Sequence, residues 1–312
     1  MSEWAIETRD LSKSYAKRMA VQDLTISVAR GEVFGFLGPN GAGKTTAVKM
    51  LLGLVHRTSG AAAILGRPLG SIEARRCIGY LPELFRYQDW LTAREVLAWH
   101  AAILRVPQSE RRGELDSILE RVGLAQRSND RVGTFSKGMQ QRLGIGVAIL
   151  GKPHVVFFDE PASALDPVGR ADVRDLILDL KMHGTTVFLN SHLLTEVEQV
   201  CDRVAVIDGG RMIAMGNLGD LLGRFALRIT VESLEGPVLA VITEAHGELD
   251  GHDSALFYGI DDGAIADLVT RLVRAGARIK RVEPIRLTLE ERFLELLRDQ
   301  HERTPDRLTR PS

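Results

Sequence analysis

Short apolar runs alternate with stretches of helical period through the first two-thirds of the chain. Val33–Leu37 is an apolar run broken by Gly38, Pro39, Asn40 and Gly41. From Lys44 on, Val48, Leu51, Leu52 and Val55 fall at i, i+3, i+4 and i+7, which predicts a helix with one apolar face. Residues 155–158 read as a second buried strand, and 185–189 and 204–207 as two more. Apolar strands separated by helical stretches predict an α/β domain with a mainly parallel sheet. Between about Glu83 and Leu150 three helical segments follow one another with no clear strand, so this stretch reads as a helical insertion. Thr92-Ala-Arg-Glu95 is a capping box that opens the first of them.

The pattern changes again near residues 216–223. Leu227, Ile229 and Val231 alternate like a half-buried strand, and 238–242 and 256–260 read as further strands. Ile265, Leu268, Val269, Leu272 and Val273 mark a helix with Gly276 as its stop. Thr288 and Glu291 form a second capping box ahead of Leu289, Phe293, Leu296 and Leu297. A small C-terminal α+β domain, residues 223–312, thus follows a first domain of residues 1–222 whose helical subdomain spans about 84–150. The tail, residues 301–312, is polar, holds two prolines and is expected to fray.

A length of 312 residues agrees with two domains. With 45% hydrophobic and 26% charged residues the composition is ordinary for a globular protein and excludes a disordered chain. Forty Lys and Arg against 41 Asp and Glu give a net charge of −1, which argues against a dedicated nucleic-acid partner. No apolar run reaches the ~18–20 residues that span a bilayer. The start, Met1-Ser2-Glu3-Trp4, lacks a signal-peptide pattern. Cys77 and Cys201 have no CxxC spacing and read as small core residues of a reduced, cytosolic protein.

Gly38, Pro39, Asn40, Gly41, Ala42, Gly43, Lys44 and Thr45, continued by Thr46, fit the phosphate-loop pattern G-x-x-x-x-G-K-[ST]. Its glycines let backbone N–H groups turn toward phosphate oxygens. Lys44 is placed to reach the β- and γ-phosphates of a nucleotide, and the Thr45 hydroxyl to hold Mg²⁺. The helix that follows directs its positive end at the same anion. The strand at 155–158 ends in Asp159 and Glu160, and acids at a buried strand end need a reason because desolvating a charge is costly. Asp159 there can hold Mg²⁺ opposite the loop hydroxyl. Glu160 can orient or deprotonate a water that attacks the γ-phosphate.

Taken in order, the phosphate loop, Phe135-Ser-Lys-Gly-Met-Gln-Gln-Arg142, Asp159-Glu160-Pro161, Ser163-Ala-Leu-Asp166 and Ser191-His192 resemble the nucleotide-binding subunit of ABC transporters. The resemblance covers roughly residues 3–222 and implies a P-loop NTPase fold of ABC type and an ATPase. Residues 159–208 look most like single-domain bacterial export ATPases that pair with separate permeases, and Glu290-Glu-Arg-Phe-Leu294 is similar to that group. The resemblance implies an integral-membrane permease partner and a second ATP-binding subunit, identical or different, in a head-to-tail dimer with two ATP molecules at its interface. It implies a cytoplasmic location on the inner face of the membrane. Tyr15 matches the aromatic that stacks on adenine. Ser136 and Gly138 match residues of the signature, here Ser136, Lys137, Gly138 and Met139, that meets the ATP bound on the opposite subunit. Asp166 matches the residue that touches the partner's phosphate loop, and His192 the γ-phosphate sensor.

Three positions depart from the family pattern. Lys137 replaces a Gly, Met139 a Gln, and Glu83, in Ile78-Gly-Tyr-Leu-Pro-Glu83, a Gln. A Glu still supplies an oxygen to Mg²⁺ or water, with an added negative charge. Phe85, Tyr87, Trp90 and Trp99 cluster after Glu83. In the resembled family this region receives a cytoplasmic helix of the permease, and aromatics suit such a groove. Filling the core of the insertion is the other reading. The competing functional classes are a soluble ABC ATPase acting on nucleic acid or ribosomes, and a non-hydrolysing sensor. A single phosphate loop and the lack of sustained heptads between Lys44 and Asp159 disfavour the first, and the intact Glu160 disfavours the second.

Overall fold

The computed structural model describes residues 3–16, 18–222, 226–260, 262–285 and 288–303. The chain forms two compact units, Met1–Leu218 with Phe293–Ser312, and Gly219–Arg292. The expected boundary after Leu222 falls just beyond this division. The last helix, expected whole within the accessory domain, is divided, and its part from Phe293 on groups with the first unit.

The first unit opens with β1 (Trp4–Tyr15), β2 (Arg18–Leu24) and β3 (Ser27–Ala29). β4 (Val33–Leu37) runs through the phosphate loop into α1 (Lys44–Leu51). β5 (Ser59–Ile64) and β6 (Arg67–Pro68) follow, then α2 (Ile72–Arg75) and β7 (Ile78–Leu81). The insertion consists of α3 (Ala93–Ile103), α4 (Gln108–Arg121) and α5 (Lys137–Ile149). β8 (Val155–Asp159), α6 (Pro167–Met182), β9 (Thr186–Asn190), α7 (Leu194–Val200), β10 (Arg203–Asp208) and β11 (Arg211–Asn217) complete the core, and α8 (Leu218–Leu221) begins at the last residue of this stretch and runs into the second unit.

A six-stranded sheet has the order β11-β10-β4-β9-β8-β7, parallel except for the β10–β11 pair. Every residue of β4, β8 and β9 is buried. Parallel strands covered on both faces read as unbroken apolar runs, which is why the sequence pattern exposes them. Pairing of Phe34 and Phe157 with Phe188 puts the three rings on one face, with centroids 5.7 and 5.2 Å from that of Phe188. Phe36 adds a fourth ring, 5.3 Å from that of Phe188. Ala47, Val48 and Leu51 of α1 belong to the same core.

A second sheet, β2-β1-β5-β6 with β3 also on β1, is antiparallel and was absent from the expected elements. Register shifts interrupt each of the pairings of β1, so its alternation of apolar and polar positions is broken. In the insertion the capping box is formed: Thr92 N donates to Glu95 Oε2 at 2.8 Å and Glu95 N to Thr92 Oγ1 at 3.2 Å. Cys201 is buried, and burial pushes its thiol pKa up, whereas Cys77 is half-buried.

The second unit contains β12 (Ala226–Val231), α9 (Pro237–Glu244), β13 (Glu248–Leu249), β14 (Ser254–Tyr258), α10 (Asp262–Arg274) and β15 (Ile279–Ile285). The βαββαβ order with the antiparallel sheet β13-β14-β12-β15 is the ferredoxin-like arrangement. Leu227, Ile229 and Val231 face Val238, Ile242, Leu268 and Leu272 in one core. Residues 238–242, expected as a strand, are helical. Pro237 at the first helical position fixes the start, and Val238 and Ile242 fall on one helix face. β15 was not expected, because Pro284 and alternating charges mask an edge strand. α10 stops before Gly276, whose φ is +93°, as expected. α11 (Leu289–Arg303) opens at the expected capping box, with Thr288 N donating to Glu291 Oε2 at 2.8 Å. Of the tail expected to fray, residues 301–303 continue α11 and the rest lies outside the described residues.

Phe188→Ala removes the ring against which three others pack. It is expected to destabilise the first unit by about 3–5 kcal/mol, read by urea denaturation.

Candidate active site

Because β4, β9, β8 and β7 are neighbours and parallel, their C-terminal ends lie along one edge of the sheet. The phosphate loop follows β4, Ser191-His192 follows β9, Asp159 ends β8 with Glu160 next, and Glu83 lies just past β7. Ligand sites of open α/β sheets form at this edge.

Two loop glycines are required by space. A Cβ on Gly38 would lie 2.2 Å from Ile207 O, and one on Gly43 2.3 Å from Ala20 O. Gly43 also has φ +106° and is the N-cap of α1. It offers no side chain to the first-turn N–H groups, and that turn holds no acidic residue. Helix-start donors without a capping side chain, at the positive end of the dipole, form an anion site. Ala42 is fixed by donating to Pro39 O at 3.1 Å and by accepting from Gly210 N at 2.9 Å. Pro39 is half-buried, Asn40 and Gly41 are exposed, and Thr45 and Thr46 are half-buried on the first turn of α1. Lys44 is buried, and its Nζ donates to Gly38 O at 2.6 Å and Pro39 O at 3.2 Å. Burial lowers its pKa, while the charges of Glu160, Asp159 and Glu83 act to raise it.

Asp159 is almost fully buried. Desolvation raises its pKa, the hydrogen bond from Asn190 Nδ2 to Oδ1 lowers it, and Glu83 and Glu160 raise it further against Lys44. The Tyr80 hydroxyl is pushed up to about 12 by burial, then by Asp159 and Glu83. Glu160 has φ +56°, a left-handed backbone on a non-glycine residue. Its N–H donates to Asn190 O at 2.9 Å. Its Oε1 accepts from His192 N at 3.0 Å, and Oε2 lies 2.7 Å from His192 Nδ1, an ion-pair distance not aligned as a hydrogen bond. Asn190 therefore serves both acids, with its side chain on Asp159 and its carbonyl on Glu160. The sequence reading missed it, although a polar residue closing the apolar run Thr186–Asn190 was the available signal.

The Thr45 hydroxyl and the Asp159 and Glu83 carboxylates are a fitting donor set for Mg²⁺. Mg²⁺ is normally held by one or two carboxylates plus phosphate oxygens and water, not by a protein cage. Among the described residues no group of three or more His, Cys, Asp or Glu forms a metal cluster. The raised pKa of Asp159 beside two other acids is the electrostatic counterpart, since a cation there would relieve it.

The other candidates occupy separate places. Tyr15, 48% exposed, sits at the β1–β2 tip with Lys13 Nζ 4.8 Å from its ring centroid. Ser136 caps α5 by accepting from Met139 N at 3.2 Å, and Lys137 is exposed. Met139 is half-buried, and so is Gly138, whose Cβ would come 3.2 Å from Leu165 Cδ2. No hydrogen bond or ion pair among the described residues joins Ser136–Met139 to the phosphate loop of the same chain. Asp166 caps α6 by accepting from Gly169 N at 2.8 Å, with Pro167 opening the helix.

The aromatic cluster divides. Phe85 packs so close to Gly144 that a Cβ there would lie 2.5 Å from its ring. Tyr87 meets Phe85 at 5.4 Å and His100 at 5.8 Å between ring centroids, and burial raises its pKa. Trp90 and Trp99 are 70% and 56% exposed and line a groove of about 520 Å³ with Gln88, Leu91, Glu95 and Ala98. Among the described residues no helix is long and apolar enough to cross a membrane.

Comparison with known proteins agrees with this geometry. Residues 21–163 match the ABC transporter family. The linearmycin resistance ATP-binding protein LnrL of Bacillus subtilis (strain 168) is 34% identical over 300 residues, covering 94% of this chain and 96% of LnrL. The bacitracin transport ATP-binding protein BcrA of Bacillus licheniformis is 36% identical over 298 residues, covering 93% and 94%. A solved ATP-binding subunit of an ABC transporter superposes with a TM-score of 0.65 at 33% identity, covering 70% of this chain and 91% of that one. With the phosphate loop, the paired acids and the histidine on one sheet edge, the chain belongs to the ATP-binding subunits of ABC transporters, and its chemistry is ATP hydrolysis.

Proposed function

We propose that this chain and a second ATP-binding subunit, a copy of itself or a related chain, close head to tail over two ATP molecules and drive export through a separate integral-membrane permease. The chain works on the cytoplasmic face of that membrane. The observation that carries the catalytic part is Glu160, held by the backbone and ring of His192 beside Asp159 and Lys44.

Each residue has a part in this reading. The N–H groups of the loop from Gly38 to Thr46 hold the phosphates, and Lys44 exchanges its loop carbonyls for β- and γ-phosphate oxygens. Tyr15 stacks on adenine. Thr45, Asp159 and Glu83 hold Mg²⁺, which when bound neutralises phosphate charge. Glu160 accepts a proton from the attacking water, and His192 contacts the γ-phosphate. Ser136, Lys137, Gly138 and Met139, at the positive end of α5, meet the γ-phosphate on the opposite subunit, and Asp166 meets that subunit's phosphate loop. The Trp90–Trp99 groove takes a cytoplasmic helix of the permease. Export is supported by LnrL, which is named for linearmycin resistance, since resistance to an antibiotic calls for lowering its concentration in the cell; BcrA is named for bacitracin transport. An antibiotic-like compound is the substrate class that follows.

Three outcomes test this reading. Glu160→Gln should hydrolyse ATP at least about 10²-fold more slowly, while its solution mass doubles with ATP and Mg²⁺; near-normal turnover would refute the assigned base. Trp90→Ala should reduce efflux by cells carrying the permease and leave basal ATPase activity intact. Asp159→Asn should abolish Mg²⁺-dependent turnover yet stabilise the nucleotide-free protein. The folded state binds the Asp159 proton more tightly than the unfolded chain does. The carboxylate therefore costs stability as pH rises from the ordinary value of 3.8 through its raised folded pKa. Thermal melts should show the variant higher at neutral pH and level with wild type below pH 3.8.

A further inference from the structure

The left-handed backbone of Glu160 needs support from outside its own turn. A non-glycine residue there is strained and persists only where its surroundings over-determine it. The N–H is held by the neighbouring strand through Asn190 O. The carbonyl accepts from Ser163 Oγ at 3.1 Å, within the same turn. It also accepts from Gln141 Nε2 at 3.2 Å, and the same amide donates to Pro161 O at 3.0 Å. Gln141 is 5% exposed on α5, so a buried side-chain amide is committed to two consecutive carbonyls of the turn that carries Glu160. The next residue, Arg142, pairs with Asp172 of α6 at 2.8 Å. Adjacent residues of α5 thereby grip both ends of residues 160–172, the stretch that includes Ser163 and Asp166.

We infer that Gln141 is a positioning residue for Glu160: its amide fixes the strained turn so that the carboxylate is aimed at the attacking water. Ser136 and Gly138 sit one turn earlier on the same helix. The residues proposed to meet the opposite ATP and the residue that aims Glu160 therefore move as one rigid piece, and each ATP site bears on the carboxylate serving the other. The inference rests on the dimeric reading above. Gln141 follows the signature Ser136–Met139, and the sequence alone gives it no role because its partners appear only in the fold.

Gln141→Leu keeps the side-chain volume and removes both donors. A misplacement of about 1 Å at a reacting group costs on the order of 10²-fold. The full-length variant is expected to lose ten- to hundred-fold in kcat with the KM for ATP changed by less than about three-fold. Its melting temperature should stay near wild type, and with ATP and Mg²⁺ it should accumulate as a dimer by light scattering although Glu160 is intact. A residue with a packing role alone would not produce that trapped dimer. Wild-type kcat, or loss of dimer and turnover together, would overturn the inference, and so would loss of folding in both this variant and Gln141→Met. Glu160→Gln is measured alongside. If it forms no ATP-dependent dimer, the homodimeric form of that reading fails by itself, and the kcat against KM split still decides whether Gln141 positions Glu160.

Discussion

Burying the Asp159 carboxylate at the end of an apolar strand is the constraint around which the first unit is arranged. Desolvation penalises a charge there, and Glu83 and Glu160 add repulsion. Lys44, itself destabilised by burial, lies in the same field with the opposite sign. Such a cluster stays in place only on a platform that cannot yield. The parallel sheet supplies it, with every residue of β4, β8 and β9 buried and phenylalanine rings packed around Phe188. Close packing of this kind has few voids and resists small displacements, so the strand ends are held where their charges are least comfortable. The polar edge is thus stabilised by apolar packing below it, and its electrostatic cost is what ATP and a cation are suited to relieve.

Backbone strain is used at the same edge. Gly43 takes φ +106° without a Cβ penalty and leaves the start of α1 open to phosphate. Glu160 takes φ +56° with a full side chain, so hydrogen bonds must hold it. Asn190 of β9, Gln141 of α5, His192 of the loop after β9 and Ser163 of its own turn hold its N–H, carbonyl and carboxylate. Strain at a carboxylate that is fixed from several sides is a form of preorganisation.

How much could be read from the sequence depended on whether a signal was local. The central strands and the phosphate loop were legible because burial on both faces gives unbroken apolar runs and because loop geometry demands particular residues. The capping boxes at Thr92 and Thr288 were legible for the same reason. The antiparallel sheet was not, since bulges break the period of β1 and small residues fill β5. Residues 238–242 misled because β-branched apolar residues suit a strand, while the deciding signal, Gly236-Pro237, stood outside the run. Asn190 and Gln141 escaped because each acts on residues far away in the chain, which only the sheet order and the path of α5 bring near.

The three departures from the family pattern bear on the same charge balance. Glu83 adds a negative charge beside Asp159, which disfavours ionisation of that acid in the isolated site and raises the demand for a cation. Lys137 is the first residue of α5, where the helix dipole is positive, so an exposed ammonium there is unfavourable to the helix by itself. An anion brought to that end reverses the sign, because the dipole and Lys137 would then attract the same group. Met139 keeps the one contact the backbone requires, its N–H on Ser136 Oγ, whatever its side chain. Glu83 and Lys137 thus each place a charge that the separated chain disfavours and that a bound cation or anion would offset. That is the balance expected of a motor whose resting and loaded states must differ in free energy.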